Sequence, residues 1–407
     1  MNTAVQEEHL LQGSMVKLND EYSIRVVDNL SGFETLREAW DKLANKQKEY
    51  FPFLCFDWFK LWLEHFLKDD ELFILLLYKN DEVEMIAPFL IKREKCRGIN
   101  IKKFELMGNV YSPLRYFVFC EHHNNQKEND VSLIMDFLTI HYRKWDIVDL
   151  STLPEENGYY DVIRNAINAK GMAYSEYHCF GDWYINGIKY TGDEYFDKLP
   201  ERIRKDVLYC HRRLHTMGEI EFKVISDRSG LDQYIDFYYD VYSRSWQKRE
   251  GIGPNFHRDL ARIAAKNEWL RMGFLLYNDL PIATQFWLSC NGTAYILKTV
   301  YDQNYKKYSP GKILTTEMFK YIIDVDKVKM IDYVQGDEPY KKDWTPQRRE
   351  RKGIIVYNNN IKGRYLGLLN NKVLPVLRKS QYMRKLKDVV KGVRNEKDER
   401  DAETSSA

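Results

Sequence analysis

Asp337, Glu338, Tyr340 and Lys341 crowd into QGDEPYKKDW, directly after the β-rich run KMIDYV. A carboxylate in such a cluster can take a proton from an attacking ammonium, and a phenol can return one to a leaving group. The same four residues also suit a solvated acidic turn. A second cluster lies upstream in AYILKTVYDQNYKKYSPGKILTTEMFKYII. Here a strand-like run passes through a Lys- and Tyr-rich loop to Ser309-Pro310-Gly311, and Ile313, Leu314, Met318, Tyr321 and Ile322 then follow at helical spacing. Ser309 is a natural N-cap and Pro310 suits the first helical turn. A helix opening just after a strand and a basic loop offers free backbone N–H groups and a positive dipole end to an anionic phosphate. Gly311 would let that phosphate come close, and Lys306, Lys307 and Lys312 add charge. The chain has no G-x-G-x-x-G dinucleotide motif and no P-loop.

Such groups act together only if strands and helices bring them to one place. Trp58, Leu61, Trp62 and Phe66 predict an amphipathic helix, and ELFILLLYKNDEVEMIAPFLIKR predicts two strands joined at Lys79-Asn80-Asp81. IKKFELMG, RYFVF and DIVDLS read as further strands, with SLIMDFLTIHYRK a helix before the last. A similar order then returns. KLPERIRKDVLYCHRRLHTMG and LDQYIDFYYDVYSRSW read as helices, the segment from Trp269 to Asp302 as three antiparallel runs, Ser309 onward as a helix and KMIDYVQGD as a strand parallel to its neighbour. In sheets of this kind ligands meet the carboxyl ends of the strands, which is where Asp337 to Lys341 fall. The expected fold class is α/β (α+β): two tandem domains at residues 23–185 and 190–357, each a mixed, mostly antiparallel sheet flanked by helices. A polar, disordered leader occupies residues 1–22. A basic segment at residues 358–394 puts Tyr382, Leu386, Val389, Val390 and Val393 on one helical face, and residues 395–407 form a disordered tail.

At 407 residues the chain is long enough for two cores, and its formal charge of +2 supplies no overall field for nucleic acid, so no DNA partner is expected. The six cysteines show no C-x-x-C spacing, which points to reduced thiols rather than a disulfide framework or a thiolate metal site. The amino terminus lacks a basic region followed by an apolar run, and no apolar stretch approaches the roughly 20 residues of a membrane helix. A cytoplasmic location is expected. His211 and His215 stand four apart on a predicted helix beside Cys210, a metal spacing that a basic amphipathic helix explains as well. Cys120, His122 and His123 sit in a polar loop, and no metal is expected at either place. Trp246 suits an acceptor site or a core position.

SPGKILTTEMFKYII and IDYVQGDEPYKKDWTPQRRERKG closely resemble the second half of the CelD/BcsL-type acetyltransferases of cellulose and exopolysaccharide biosynthesis, which look like tandem GNAT domains of the FemABX kind. The similarity extends to RIRKDVLYCHRRLHTMG, the SRSW around Trp246, PIATQFWL and, in the first half, FPFLCFDWFKLWLEHF, MIAPFLIKR, LMGNVYSPLRYF and WDIVDLSTLPEE, so it covers most of Trp40 to Gly353. The resemblance implies acetyl-CoA or another short acyl-CoA as co-substrate, bound only in the second domain. It implies that Thr299, Val300 and Tyr301 meet the pantetheine arm through their backbone, with a polarising N–H near Val300. Lys307, Ser309, Gly311 and Lys312 would then form the pyrophosphate turn, although the family's usual Gln/Arg-x-x-Gly-x-Gly/Ala motif is absent. Arg348 and Arg349 are further candidates for the phosphates. Asp337 or Glu338 would be the base and Tyr340 the acid, with Trp246, Gln285, Lys298 and Lys341 at the acceptor. The implied acceptor is an amino sugar, nucleotide-linked or in a growing glycan. Two alternatives stay open: transfer from aminoacyl-tRNA to peptidoglycan precursors, and a non-catalytic scaffold of a polysaccharide synthase. Peripheral membrane association through residues 361–394 and homodimerisation are the remaining partner expectations.

Overall fold

The computed structural model describes residues 15–47, 52–121, 124–247 and 255–375. Asn80-Asp81, Arg97-Gly98, Asn278-Asp279 and Asn291-Gly292 all hold positive φ, the backbone of the two-residue turn whose twist matches paired strands. These four turns create two three-stranded meanders, one in each half of the chain.

In the first half, β1 (Met15–Lys17) and β2 (Tyr22–Val27) are followed by helices α1 (Leu30–Glu34), α2 (Arg37–Lys46) and α3 (Phe56–Phe66). The meander is β3 (Glu71–Lys79), β4 (Glu82–Cys96) and β5 (Ile99–Leu106), with β6 (Val118–Phe119) on the far side of β4. Helix α4 (Asn124–Asp136) leads to β7 (Ile147–Leu153), parallel to β5, and α5 (Tyr159–Ala169) leads to the long β8 (Tyr174–Asn186). The second half repeats the plan: α6 (Gly192–Lys198), α7 (Glu201–His215), β9 (Ile220–Ile225), α8 (Leu231–Ser243) and α9 (Phe256–Lys266) precede the meander β10 (Leu270–Tyr277), β11 (Leu280–Cys290) and β12 (Thr293–Tyr301). Helix α10 (Pro310–Asp324) connects to β13 (Met330–Asp332), parallel to β12, and β14 (Gln347–Tyr357) and α11 (Ile361–Leu368) close the described chain. Part of the stretch read as a leader is therefore edge strand β1, paired with β2. Residues 1–14, the tail at 395–407 and the apolar face proposed for Tyr382 to Val393 lie outside the described residues.

The strands join into one sheet in the order β1-β2-β3-β4-β5-β7-β14-β8-β13-β12-β11-β10-β9. Chain order and sheet order part at its centre. β8, from the first half, pairs with β13, while β14, from the second, pairs with β7, and the two lie antiparallel from Gln347↔Tyr184 to Val356↔Tyr174. Each half is completed by the last strand of the other. One apolar core accordingly contains Phe56 and Trp58 of α3, Phe256 and Leu260 of α9, and Ile354 and Val356 of β14.

Where the exchanged strands cross, burial encloses charge. Arg351 of β14 is wholly buried; its guanidinium donates to Glu156 at 2.6 and 2.9 Å and to Asp182 of β8 at 2.8 Å. Arg349 donates to the same Asp182 at 2.7 Å and also pairs with Asp332 at the end of β13 and with Glu156. Three carboxylates thus face two guanidiniums. Burial, reinforced by the neighbouring Asp182 charge, pushes the Asp332 carboxyl up to about 8 from 3.8. A raised carboxyl pKa means that the folded state holds a proton the unfolded chain has released, so this stabilisation is full below 3.8 and is lost as pH rises toward 8. Asp332→Asn cannot titrate. The stability of wild type relative to this variant should therefore fall between pH 5 and pH 8 in urea melts, and parallel curves would show that Asp332 does not carry the proton.

Candidate active site

β12 and β13 pair only from Thr293↔Met330 to Tyr295↔Asp332. Beyond that point they separate, for reasons visible on each strand. On β12, Leu297 is an extra residue in the ladder with β11, Ile296 facing Trp287 and Lys298 facing Phe286; such a bulge bends its strand and interrupts pairing. On the other side the chain turns away through Val334 (φ 56) and Gly336 (φ 97). Val334 is β-branched and strained there, and its N–H is held by Asp332 Oδ1 at 2.6 Å.

The opening exposes one edge of β12, and the pleat decides which groups face it. Asp302 N–H donates to the Ile282 carbonyl at 2.9 Å, continuing the ladder in which Val300 pairs with Thr284. The backbone groups of Val300 are therefore spent on β11, and those of Thr299 and Tyr301 face the opening. Gln247 Nε2 reaches the Thr299 carbonyl from that side at 3.3 Å. The backbone amides that face the opening near Val300 are therefore those of Thr299 and Tyr301.

Two pockets meet at this edge. One, of about 310 Å³, is lined by Gln247, Lys298, Thr299, Glu338, Tyr340 and Lys341, with Phe180 of the exchanged strand β8 as an apolar wall. The other, of about 480 Å³, takes in Thr299, Val300, Tyr301, Tyr340 and the residues that open α10, Ser309, Gly311 and Lys312. Both volumes suit small-molecule sites. Thr299 and Tyr340 belong to both, so they mark the junction.

The start of α10 is built differently from the sequence expectation. Ser309 has left-handed backbone (φ 46) and caps through its carbonyl, which accepts from the N–H groups of Lys312 at 2.9 Å and Ile313 at 3.2 Å, rather than through its side chain. A Cβ on Gly311 would come within 3.1 Å of the Tyr301 ring, so the glycine permits the close approach of α10 to β12. Lys312 pairs with Asp206 of α7. Lys306 lines the larger pocket, whereas Lys307 turns its ammonium over the Tyr308 ring at 5.0 Å and lies outside it.

The acidic cluster divides. Asp337 is clamped by Arg348 through two hydrogen bonds of 2.7 Å, lines neither pocket, and is held below the usual carboxylate range chiefly by that contact. Glu338 lines the smaller pocket and pairs with Lys341 at 2.8 Å. Lys341 is buried and also donates to the Gln335 carbonyl. A Cβ on Gly336 would fall 2.4 Å from Glu338 Oε2 and 2.8 Å from Lys341 Nζ, so the positive-φ glycine makes room for that pair. Desolvation raises the Tyr340 phenol above its ordinary value and the Glu338 charge adds to this, against a hydrogen bond with Thr299. The phenol is thus protonated at neutral pH and able to act as an acid.

Several candidates fall elsewhere. Gln285 is 1% exposed and donates to Thr315 Oγ1 at 2.7 Å while accepting from Trp287, so it supports α10 from below and touches no pocket. Trp246, expected at the acceptor, lines the larger pocket, its ring 4.5 Å from that of Tyr301, and not the pocket of Glu338 and Lys341. Arg348 is held by Asp337 and Glu350, and Arg349 by the buried carboxylates, so neither is directed to a phosphate. His211 and His215 lie on α7 with ring centroids 6.3 Å apart. Among the described residues no group of three or more His, Cys, Asp and Glu is placed to hold a metal ion, and His122 and His123 lie outside them. Sequence reasoning missed Gln247, whose buried side-chain carbonyl has no partner among the described residues, and Phe180. The adjacent Trp246 was a signal for the first. Phe180 had none, because β8 reaches the site only through strand exchange.

Residues 201–342 match the acetyltransferase (GNAT) domain family. Among solved structures, FemX is similar in fold at a TM-score of 0.55 and 12% identity, over 81% of this chain and 98% of that one. A tandem GNAT protein from the clavulanic acid biosynthesis pathway gives a TM-score of 0.47 at 9% identity, over 83% and 99% of the two chains. L-PGS from Bacillus licheniformis gives 0.45 at 11%, over 77% and 95%. A comparison with curated protein sequences finds no match. The domain match, set beside the parted parallel strands and the bulge, shows a GNAT acetyltransferase domain at residues 201–342, and with it an acyltransferase, on a mixed α/β fold. Its two halves each carry a meander followed by a parallel strand, β3-β4-β5 with β7 and β10-β11-β12 with β13.

Proposed function

We propose that the protein transfers a short acyl group, acetyl in the simplest case, from a coenzyme A thioester to the amine of an amino sugar. The observation that carries this reading is the meeting of two pockets at Thr299 and Tyr340, where an edge of β12 has no partner strand. The larger pocket takes the pantetheine arm along Thr299 and Tyr301 and the phosphates at Gly311, Lys306 and Lys312. The smaller, with Gln247, Lys298, Glu338 and Lys341 on its walls, suits a polar, hydroxylated amine. The amine nitrogen attacks the thioester carbon and the C–S bond breaks. Glu338 takes the nitrogen's proton directly or through a water, and Tyr340 protonates the departing thiolate. No covalent enzyme intermediate is required. The amino sugar as acceptor, in nucleotide-linked or glycan form, rests on the resemblance to the CelD/BcsL-type enzymes.

Acetyl-CoA well above its dissociation constant should raise the melting temperature, because ligand at a hundredfold excess over Kd stabilises by about 2.7 kcal/mol. Gly311→Asp should abolish the shift by setting a carboxylate against the phosphates and against Tyr301. An unchanged melting temperature at millimolar acetyl-CoA would count against CoA as donor. Thiol release on adding glucosamine or a nucleotide-linked amino sugar then tests the acceptor.

A further inference from the structure

Helix α7 buries Ile203, Val207, Cys210 and Leu214 and turns the residues between them outward. Its outer face is not wholly polar: Leu208 and Tyr209 are 50% and 58% exposed, and Met217, just past the helix end, is 49% exposed. Cations surround them. Arg212 and Arg213 pair with no carboxylate among the described residues, and the Arg213 guanidinium lies 5.1 Å from the Tyr308 ring that Lys307 also covers. The two acidic groups of the helix itself are already engaged, Glu201 by Lys205 and Asp206 by Lys312. In a chain of net charge +2 this is a local concentration of positive charge with an apolar centre.

Its position gives the patch a meaning. The first turn of α7 supplies Arg202 and Ile203 to the larger pocket, and the helix runs on along the basic turn that precedes α10. A free CoA molecule would fill that pocket without touching Leu208, Tyr209 or Met217, which line none of the pockets described at this edge. An acidic protein that carries its acyl group on a phosphopantetheine arm would use both: arm in the pocket, acidic helix against α7. We propose that the outer face of α7 docks an acyl carrier protein, which presents the thioester in place of CoA. This rests on the donor reading above. The bonds are unchanged: the amine nitrogen gains the acyl carbon, the C–S bond to the arm breaks, and the arm leaves as a thiol. A lipid surface is the competing occupant, but three protruding apolar residues beside a pocket mouth fit one acidic helix better than the broad apolar face of an interfacial helix.

The test measures binding of the full chain to acetyl-loaded acyl carrier protein, to acetyl-CoA and to phosphatidylglycerol vesicles, for wild type and for the Leu208→Ser/Arg212→Glu double variant. The loaded carrier should bind, weaken at least about tenfold in the variant, and weaken with added salt as an electrostatically matched pair does. Acetyl-CoA affinity should stay within about twofold. If acetyl-CoA binds and the carrier does not, the docking proposal is wrong and the donor reading stands. Failure of both donors removes the donor reading and the proposal with it. Equal loss of both donors in the variant would assign the face to the pocket rather than to a partner. Vesicle binding lost in the variant, without carrier binding, would assign it to lipid.

Discussion

Glu338→Gln is expected to lower kcat about a hundredfold or more with an amino-sugar acceptor while acetyl-CoA affinity stays nearly unchanged, the range a general base contributes. The carboxylate lines the smaller pocket, proposed for the acceptor, and not the larger one proposed for CoA, so its loss should appear in chemistry rather than in CoA binding. Asp337→Asn makes the comparison sharp. Its carboxylate is committed to Arg348 and held at low basicity, so the change should cost little in kcat. Tyr340→Phe should fall between the two. A thiol's pKa near 8.5 makes the thiolate a tolerable leaving group unaided, so the deficit should shrink as the leaving thiol becomes more acidic. Steady-state kinetics paired with CoA binding and a melting temperature for each variant separate chemistry from misfolding. Near wild-type kcat in both Glu338→Gln and Tyr340→Phe, with CoA affinity intact, would mean that the amine enters deprotonated and that the protein contributes position and backbone polarisation alone.

The second large effect is on stability. Arg351→Met removes the wholly buried guanidinium between Glu156 and Asp182 and leaves two enclosed carboxylates short of a partner. Breaking one side of a buried ion pair costs about 3–5 kcal/mol, much of it the uncompensated charge that remains. Urea denaturation followed by tryptophan fluorescence should show a loss of that size. Adding Asp182→Asn should return part of it, since the two sites share a contact and their effects do not add. A loss below about 1 kcal/mol would show that the carboxylates find protons or water instead. The cluster also bears on register. Arg349 and Arg351 share one face of β14, and a slip of one residue would turn both guanidiniums to the other face.

Residues i and i+4 or i and i+2 are neighbours whatever the rest of the chain does, and this is why the amino-acid sequence alone determined so much of the local structure. The spacing of Trp58, Leu61, Trp62 and Phe66 makes α3, and Asn80-Asp81 can hold the left-handed backbone of a tight turn. Pro310 and Gly311 open α10 after a strand and a basic loop, and the repeated order of elements announces two related halves. Tertiary structure decided what depends on distant pairing. In TPQRRERKG, where Arg348 and Arg349 read as candidates for the phosphates, nothing nearby in sequence tells Arg349 and Arg351 that Asp182 and Glu156, more than 150 residues earlier, will enclose them. The same exchange of β8 and β14 carries Phe180 into the smaller pocket. Only the ladder register, through the bulge at Leu297 and the pairing of Val300 with Thr284, determines that Thr299 and Tyr301 turn their backbone groups to the opening. Asp337 and Glu338 are adjacent carboxylates of nearly identical chemistry in the sequence. Their roles separate because the turn at Gly336 directs one to Arg348 and the other to the pocket, a difference of direction that composition and spacing do not encode.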